Sequence, residues 1–513
     1  MKRKIKQSIF GLHLKRRDFL IFIFCLVCAS IFVFLFSFST SPLFGEYYGG
    51  MYSKDVDFSG DSAQFQLIGE EWLKGKVPYR DIFDHKGPVI FLINTLGYLI
   101  YWRTGIMLIQ VICLTITLFY IFRICSLVSS RFTYGAIAAL LSLIFLSRSY
   151  ADGNSVQEYA LPFLSASTYY IVKFLIGPQH KKEHSPKRAV LYGVSAAFCL
   201  LSQATSAIVI GAGVLVIGAY LTYHKQWKNL LNNILFGCVG FIGLLLPFLV
   251  YFAINGCVGD FIYATLIFNM EYAKNIGSWV RGATGEQWQA FFQTYFPFIS
   301  IFITVVLSAV RKKYPYSLFL LICGLLEGYL FFSAQSFSQY ATITLIQLSL
   351  LLNELFLLIK TRNTESIVFG YVLASVVLIM AYNQSMAILQ YVPDRRSAVL
   401  AAEQVGYEDL LERNLDKIRE GTFSAFGEKE FKDLYLKYRL SPNNKYFVIQ
   451  TWHSSFSEKV ENEVRASFDS NNTTYLLLDA AGKHQTPGSI NNILDKKYTM
   501  IDKEGEFELY KIK

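Results

Sequence analysis

The chain is 513 residues long, 53% hydrophobic and 16% aromatic, and only 17% of it is charged. A soluble protein carries about 25% charged residues. Together with a mean hydropathy of +0.35, this excludes a soluble enzyme and a disordered chain and leaves a polytopic α-helical membrane protein. The net charge of +10 could suit a nucleic-acid partner, but its distribution does not. Residues 1–391 hold 30 Lys+Arg against 18 Asp+Glu, and residues 392–513 hold 18 against 20, so the basic excess belongs to the hydrophobic part. It clusters in short segments: Lys2 to Arg17, Lys181 to Arg188, Lys225 and Lys228, Arg311 to Lys313, Lys360 and Arg362. That is the positive-inside pattern. No basic face with base-reading or stacking groups accompanies it, so nucleic acid is not an expected partner.

In chain order, residues 1–18 form a basic, cytoplasmic N-terminus. Apolar runs follow at 19–38, 105–123, 133–149, 159–176, 189–202, 206–223, 230–254, 292–310, 316–333, 340–359 and 367–390. No small-residue cleavage site follows the first run, which reads as a retained anchor. Placing every basic loop inside requires an odd number of crossings, and eleven fits. The run 88–101 would make a helix about 21 Å long, short of the ~30 Å hydrocarbon core. It reads as a partial helix returning to the outer side, and 189–202 is similarly short. Loop 40–87 and the tail 392–513 then lie outside, and residues 19–391 form the membrane domain. The eight cysteines all precede residue 324. Cys25 and Cys28 have CxxC spacing but sit inside an apolar helix, which favours simple packing.

The tail reads as a small α/β layer. A helix is predicted over 396–419. After Ser441-Pro442 come an apolar run at Tyr446 to Gln450, a helical stretch at 454–468, a second run at Tyr475 to Leu478 and a hairpin through Lys503-Glu504-Gly505. There is no glycine-rich nucleotide motif. His453 and Ser454 are neighbours in sequence, which alone does not make a nucleophile–base pair.

Eight of the 18 acids of the membrane part fall in the first outer loop: Glu46, Asp55, Asp57, Asp61, Glu70, Glu71, Asp81 and Asp84. Between Asp61 and Leu73, Phe65, Leu67, Ile68 and Trp72 recur at helical spacing, which predicts an amphipathic helix on the membrane surface. The chemistry open to such a loop is specific. An ordinary Asp carboxyl is ionised at neutral pH and can take a proton from an acceptor hydroxyl. A neighbouring Lys or Arg can bind a lipid phosphate and stabilise it as it leaves. Arg80 and Lys86 stand beside Asp84. A solvated hydrophilic loop is the plainer alternative.

The order Asp61-Ser-Ala-Gln-Phe65, a helix ending Leu73-Lys-Gly-Lys-Val-Pro78-Tyr79-Arg80-Asp81, then His85-Lys86-Gly-Pro88 opening an apolar helix, resembles the first outer loop of the GT-C glycosyltransferases. The similarity is to the group containing protein O-mannosyltransferases and bacterial aminoarabinose transferases, which take a sugar from a polyprenyl-phosphate carrier. It covers the topology of about residues 15–390 and is sharp only over 55–90. The resemblance implies that Asp61 is the catalytic Asp, acting as general base, with Asp57 as a plausible alternative alignment. It implies that Lys86 engages the carrier phosphate, within a substrate region that includes Tyr79, Arg80, Asp84 and His85. It further implies a second outer acid, for which Glu158 is the candidate with Asp152 behind it. The plainer reading of Glu158 is a first-turn acid favoured by the helix dipole. Arg281 could bind phosphate or acceptor, or be an interfacial anchor beside Trp279. Gln339 and Tyr340 stand where relatives often have a His-Tyr pair, and Ser62 stands where a second acid often follows the first.

The implied function is inverting transfer of a sugar from a polyprenyl-phosphate donor to an envelope glycan, lipid or protein acceptor on the outer face of the plasma membrane. No nucleotide cofactor is needed. Some relatives require a divalent metal, which Asp61 with Glu158 could hold. Two further readings share the composition. An envelope polysaccharide polymerase or ligase would more often place its functional loop in the later half, with Arg and His. A transporter should show paired, interrupted helices around buried polar groups, where this chain offers Glu327 within 316–333. A catalytically silent assembly protein is compatible with Ser62 and Gln339.

Overall fold

The computed structural model describes residues 7–9, 12–14, 16–44, 60–127, 131–177, 182–275, 278–280, 282–333, 337–361, 363–400, 406–426, 431–447, 457–470, 472–479 and 488–513. All eleven predicted apolar runs fall in helices. Among the described residues, eight helices are long and apolar enough to cross a membrane, or nine if the bent pair Gly285–Thr294 and Phe296–Val310 is one span. That pair bends by 67°, where Pro297 opens the second helix; proline suits a helix start and cannot continue a helix from within. The expected eleven crossings rest, beyond these, on Val156–Leu175 and Pro186–Leu200. The first is interrupted by polar residues, and the second is about 22 Å long.

The chain divides into two compact units. One comprises Met1–Ser37, Met107–Phe248 and Gly277–Val392; the other comprises Phe38–Ile106, Leu249–Ile276 and Pro393–Lys513. In the first unit, helices approach closely at small residues. A Cβ on Gly193 would lie 1.9 Å from the Gly237 carbonyl oxygen, and one on Gly240 would lie 2.2 Å from that of Val190. Such contacts let helix backbones meet where no hydrophobic force separates helix from lipid. Phe291, Tyr295, Phe298, Phe331 and Ala341 form an aromatic cluster, with Trp279, Trp288 and Tyr340 against it. Glu327 is fully buried and accepts a hydrogen bond from Gln347, which makes it a paired acid between two helices. Cys25 and Cys28 are free thiols.

In the second unit, the short run at 88 is a separate helix. Pro88–Cys125 is broken at Tyr101 and Trp102, both of which leave helical backbone geometry. A Cβ on Gly105 would sit 2.0 Å from the Gly97 carbonyl oxygen. Residues eight apart in a straight helix are about 12 Å apart, so the chain doubles back here. Gly105→Ala should therefore force the two arms apart and cost about 1–3 kcal/mol, the usual penalty for overpacking. Thermal unfolding of the detergent-solubilised variant measures this, and an unshifted melting point would refute it.

The helix Gly60–Leu73 forms where the spacing predicts one, but it is covered more fully than an amphipathic helix would be. Positions 62, 63, 65–69 and 71 are all buried. Gly69 lies against Asn94 and Thr95, and the helix Lys432–Lys437 packs on its other side. Period alone could not distinguish a membrane-surface helix from one covered by a distant part of the chain.

The tail contains a four-stranded sheet. Phe423–Phe426 pairs parallel with Tyr475–Asp479, which pairs antiparallel with Phe507–Ile512, which closes a hairpin with Tyr498–Glu504. The hairpin turns at Gly505, whose φ of +55° is left-handed and costs glycine little. Phe423–Phe426 is a strand where none is predicted; all four residues are buried, so it lacks the alternation that marks a half-exposed strand. The helix Thr364–Leu400 runs on past the predicted end at 390, and a second helix, Gly406–Arg419, follows. Most of the run Tyr446 to Gln450 lies outside the described residues.

Candidate functional site

The expected site residues fall into two groups, one in each unit. The first group starts at the helix Gly60–Leu73. Asp61 is half-buried in its first turn, where the helix N-terminus favours negative charge. Ser62 is buried, donates to Ser39 Oγ at 2.7 Å and accepts from Gln66 Nε2 at 3.1 Å. The residue at the family's second acid position thus pins the helix start, and a carboxylate there would bury a charge. Gln64 shares a helix face with Asp61, three residues on, and its amide donates to the buried Asp84 carboxylate.

The helix ends in a Schellman cap. Gly75 has φ +98°, the Gly75 N–H reaches the Trp72 carbonyl at 3.1 Å, and the Lys76 N–H reaches that of Glu71 at 3.0 Å. Tyr79 follows at φ +70°. Its ring is buried against Phe91, Phe252 and Phe261, and its hydroxyl donates to the Lys86 carbonyl at 2.8 Å. Tyr79 therefore holds the turn from within, and burial raises its phenol well above the usual range. Asp84 also accepts the Lys86 backbone N–H at 2.7 Å, with His85 Nδ1 at 3.8 Å. Asn269 donates to the His85 carbonyl at 2.8 Å. These bonds fix the backbone of Lys86, a half-buried residue whose side chain makes no ion pair among the described residues. Exposed Arg80 instead pairs with Asp81, through Nη2 at 2.8 Å and Nε at 2.9 Å. The guanidinium holds the Asp81 carboxyl below its usual range.

A buried clasp joins this segment to the tail. Glu71 is fully buried. It pairs with Lys74 at 2.9 Å and Lys76 at 2.6 Å, and Ser441 donates to it at 2.8 Å. Lys76 also donates to the Pro442 carbonyl, and the Phe83 N–H donates to the Lys445 carbonyl at 2.9 Å. Burial would raise the Glu71 carboxyl, but the bonds from Lys76 and Lys74 outweigh it and hold it below its usual range.

The second group surrounds Glu158, which is buried at the start of Val156–Leu175. It accepts from Tyr150 Oη at 2.8 Å, Gln110 Nε2 at 3.0 Å and the Asn154 N–H at 2.9 Å. Ser37 donates to Gln110 Oε1 at 2.8 Å. The chain before it is strained: Ala151, Asp152, Gly153 and Asn154 all have positive φ, from 49° to 84°. Left-handed backbone costs a non-glycine residue roughly 1–2 kcal/mol, and Glu158 is the anchor that holds this turn. Asp152 accepts a hydrogen bond from Tyr391 Oη. Glu158→Ala would remove an acceptor shared by three buried donors, of which Gln110 Nε2 also reaches Tyr150 Oη at 3.2 Å, at a cost of about 2 kcal/mol. Glu158→Gln keeps an acceptor and should keep the fold, so comparing their melting points separates anchoring from chemistry. Equal melting points for Ala and wild type would refute the anchor.

Asp57 and Arg281 lie outside the described residues. Gln339 and Tyr340 are half-buried in the 3₁₀ helix Ser338–Thr344, with Tyr340 against the aromatic cluster. Among the described residues, no three His, Cys, Asp or Glu side chains come together as a metal site. The partners that sequence reasoning missed are Gln64, Gln110, Tyr150 and Tyr391. Only Gln64 carried a signal, its helical spacing from Asp61.

This arrangement of spans, doubled-back helix and small C-terminal sheet is a GT-C-type multi-pass membrane fold. The crystal structure of ArnT from Cupriavidus metallidurans bound to undecaprenyl phosphate aligns with a TM-score of 0.54 at 10% identity, covering 95% of this chain and 97% of that one. Its apo form aligns at 0.55 and 12% identity, with the same coverage. The Archaeoglobus fulgidus oligosaccharyltransferase, in complex with Zn and sulfate, aligns at 0.47 and 12%, covering 94% of this chain and 72% of that one. Within that fold, the chain belongs to the family described as "Putative competence-induced protein Ccs4 N-terminal domain", whose model matches residues 24–368. No curated protein matches.

Proposed function

We propose that the protein is a membrane glycosyltransferase that moves a sugar from a polyprenyl-phosphate carrier to an acceptor hydroxyl on the outer face of the plasma membrane. The observation that carries this reading is the bonded run of Gln64, Asp84 and the Lys86 backbone beside Asp61 on the same helix as Gln64, with Lys86 half-buried and making no ion pair among the described residues, in a chain of GT-C fold. The N-terminus is cytoplasmic, and the loop 40–87 and the tail are extracytoplasmic, as the basic loops require.

In the proposed reaction, Asp61 takes the proton of the acceptor hydroxyl, and the freed oxygen attacks the anomeric carbon. The bond from that carbon to the phosphate oxygen breaks on the opposite face, which inverts the centre. Its electron pair leaves with the polyprenyl phosphate, whose charge Lys86 stabilises. Asp61 returns its proton to solvent. Glu158 acts by holding its turn, and Arg281 is a further candidate for the phosphate. The acceptor is a glycan, lipid or protein of the envelope.

The test is release of polyprenyl phosphate from a panel of polyprenyl-phosphate sugars by the full-length protein in lipid. Turnover of one donor, lost in Lys86→Gln, supports the reading. Absence of turnover with every donor, in protein shown to be folded, would favour a silent assembly role.

A further inference from the structure

A polar cavity lies in the first unit, among residues the proposed transfer does not use. It encloses about 180 Å³ and is lined by Arg17, Asp18, Arg123, Ser126 and Tyr169, with apolar Ile21 and Leu127. These sit at the start of Arg16–Phe36, the end of Pro88–Cys125 and the last turns of Val156–Leu175. All three ends carry basic residues: Arg16 and Arg17, Arg123, and Lys173.

The charges are not balanced. Arg123 Nη1 pairs with Asp18 at 2.7 Å, and its Nη2 donates to Tyr169 Oη at 3.2 Å. The same hydroxyl accepts from Lys173 Nζ at 3.4 Å. Tyr169 therefore accepts twice and keeps its own O–H to donate. Asp18 is spoken for by Arg123. Arg17 is exposed at the mouth and makes no ion pair among the described residues. The cavity lining thus holds two guanidiniums, Arg17 and Arg123, against the single carboxylate of Asp18, and the Tyr169 hydroxyl keeps its proton to donate. The N-terminal end of Arg16–Phe36 adds the favourable field of a helix start for an anion.

We propose that this cavity binds the phosphate ester of an anionic bilayer lipid. Arg17 supplies a planar fork of donors that suits phosphate oxygens, Tyr169 adds one hydroxyl, and the neighbouring apolar span surface receives the acyl chains. Basic pockets between spans are a recognised form of lipid headgroup site. On the orientation proposed above, the lipid belongs to the inner leaflet, remote from the sugar transfer; the binding itself does not depend on that orientation or on activity.

The test uses full-length protein in detergent, exposed to equimolar phosphatidylglycerol and phosphatidylcholine, with retained lipid read by native mass spectrometry. The expected result is selective retention of phosphatidylglycerol, reduced about fivefold in Arg17→Gln, the worth of one cation at a membrane surface. Arg17→Lys should keep most of the retention, and Lys225→Gln, at another basic loop, should leave it unchanged. Tyr169→Phe, which keeps the ring, provides a second variant and should also weaken retention. Unchanged selectivity in both Arg17→Gln and Tyr169→Phe would overturn the proposal. So would displacement of the lipid by millimolar inorganic phosphate, which would make the site one for a soluble anion.

Discussion

Asp61→Asn is expected to lower the release of polyprenyl phosphate about a hundredfold to ten-thousandfold at saturating donor, the range that a positioned base contributes. The fold should survive. Asparagine is nearly isosteric, Asp61 is only half-buried, and loss of a first-turn charge costs a helix about 0.3–1 kcal/mol. Donor binding should also survive, because the phosphate contact is assigned to Lys86. Lys86→Gln should show the complementary pattern, with weaker donor binding as well as slower release. The measurement is kcat and KM for each variant alongside its melting point. Asp57→Asn should leave turnover intact. If Asp57→Asn abolishes turnover and Asp61→Asn does not, the base is Asp57 and the enzyme class stands. If neither matters, a carboxylate base in this loop is the wrong mechanism.

Glu71→Ala is expected to destabilise the fold markedly. The carboxylate is fully buried, with Lys74, Lys76 and Ser441 upon it. Removing one partner of a buried ion pair costs about 3–5 kcal/mol, but Lys74 and Lys76 are part-exposed and can rehydrate, so about 2–3 kcal/mol is expected. The clasp also responds to pH. The folded-state carboxyl is held below its usual range, so its contribution is complete above the unfolded carboxylate value, near pH 4.3, and is lost as pH falls through the lower folded value. Wild type should therefore lose stability on acidification more steeply than Glu71→Gln, which has no charge there to lose. Limited proteolysis offers a second readout, since Ser441 and Pro442 hold the tail through this site. A Glu71→Ala protein that melts like wild type, with an equally resistant tail, would show that the clasp contributes nothing.

Much of the fold was legible because membranes impose a severe filter. Backbone polar groups must be satisfied internally in lipid, so long apolar runs become helices, and all eleven did. The short run at 88 could be recognised by length alone, and the break at Tyr101 and Trp102 confirms that it is a separate helix. Local chemistry also marked the end of the helix at Leu73, because Gly75 is the residue that a left-handed cap requires. The hairpin in the tail was marked by Gly505 in the same way.

The failures have a common cause. Gly60–Leu73 looked amphipathic, yet most of its faces are covered, and what covers it comes from residues near 39, 94 and 435. Phe423–Phe426 was missed because burial on both faces erases strand periodicity. Ser62, which departs from an acidic pattern, gave no sign in the sequence that its hydroxyl is a hydrogen-bonded post between Ser39 and Gln66. Composition and spacing by themselves determined that this is a multi-span membrane protein, where its helices and charges fall, and which loop concentrates carboxylates beside lysine. The tertiary structure decided which of those carboxylates are engaged: Glu71 in a clasp, Asp84 in a loop brace and Glu158 under a strained turn. A carboxylate's role depends on the donors that reach it: some are close in sequence, such as Lys76, Lys86 and Asn154, but Gln64, Gln110 and Ser441 stand 20, 48 and 370 residues away, where no local pattern can register them.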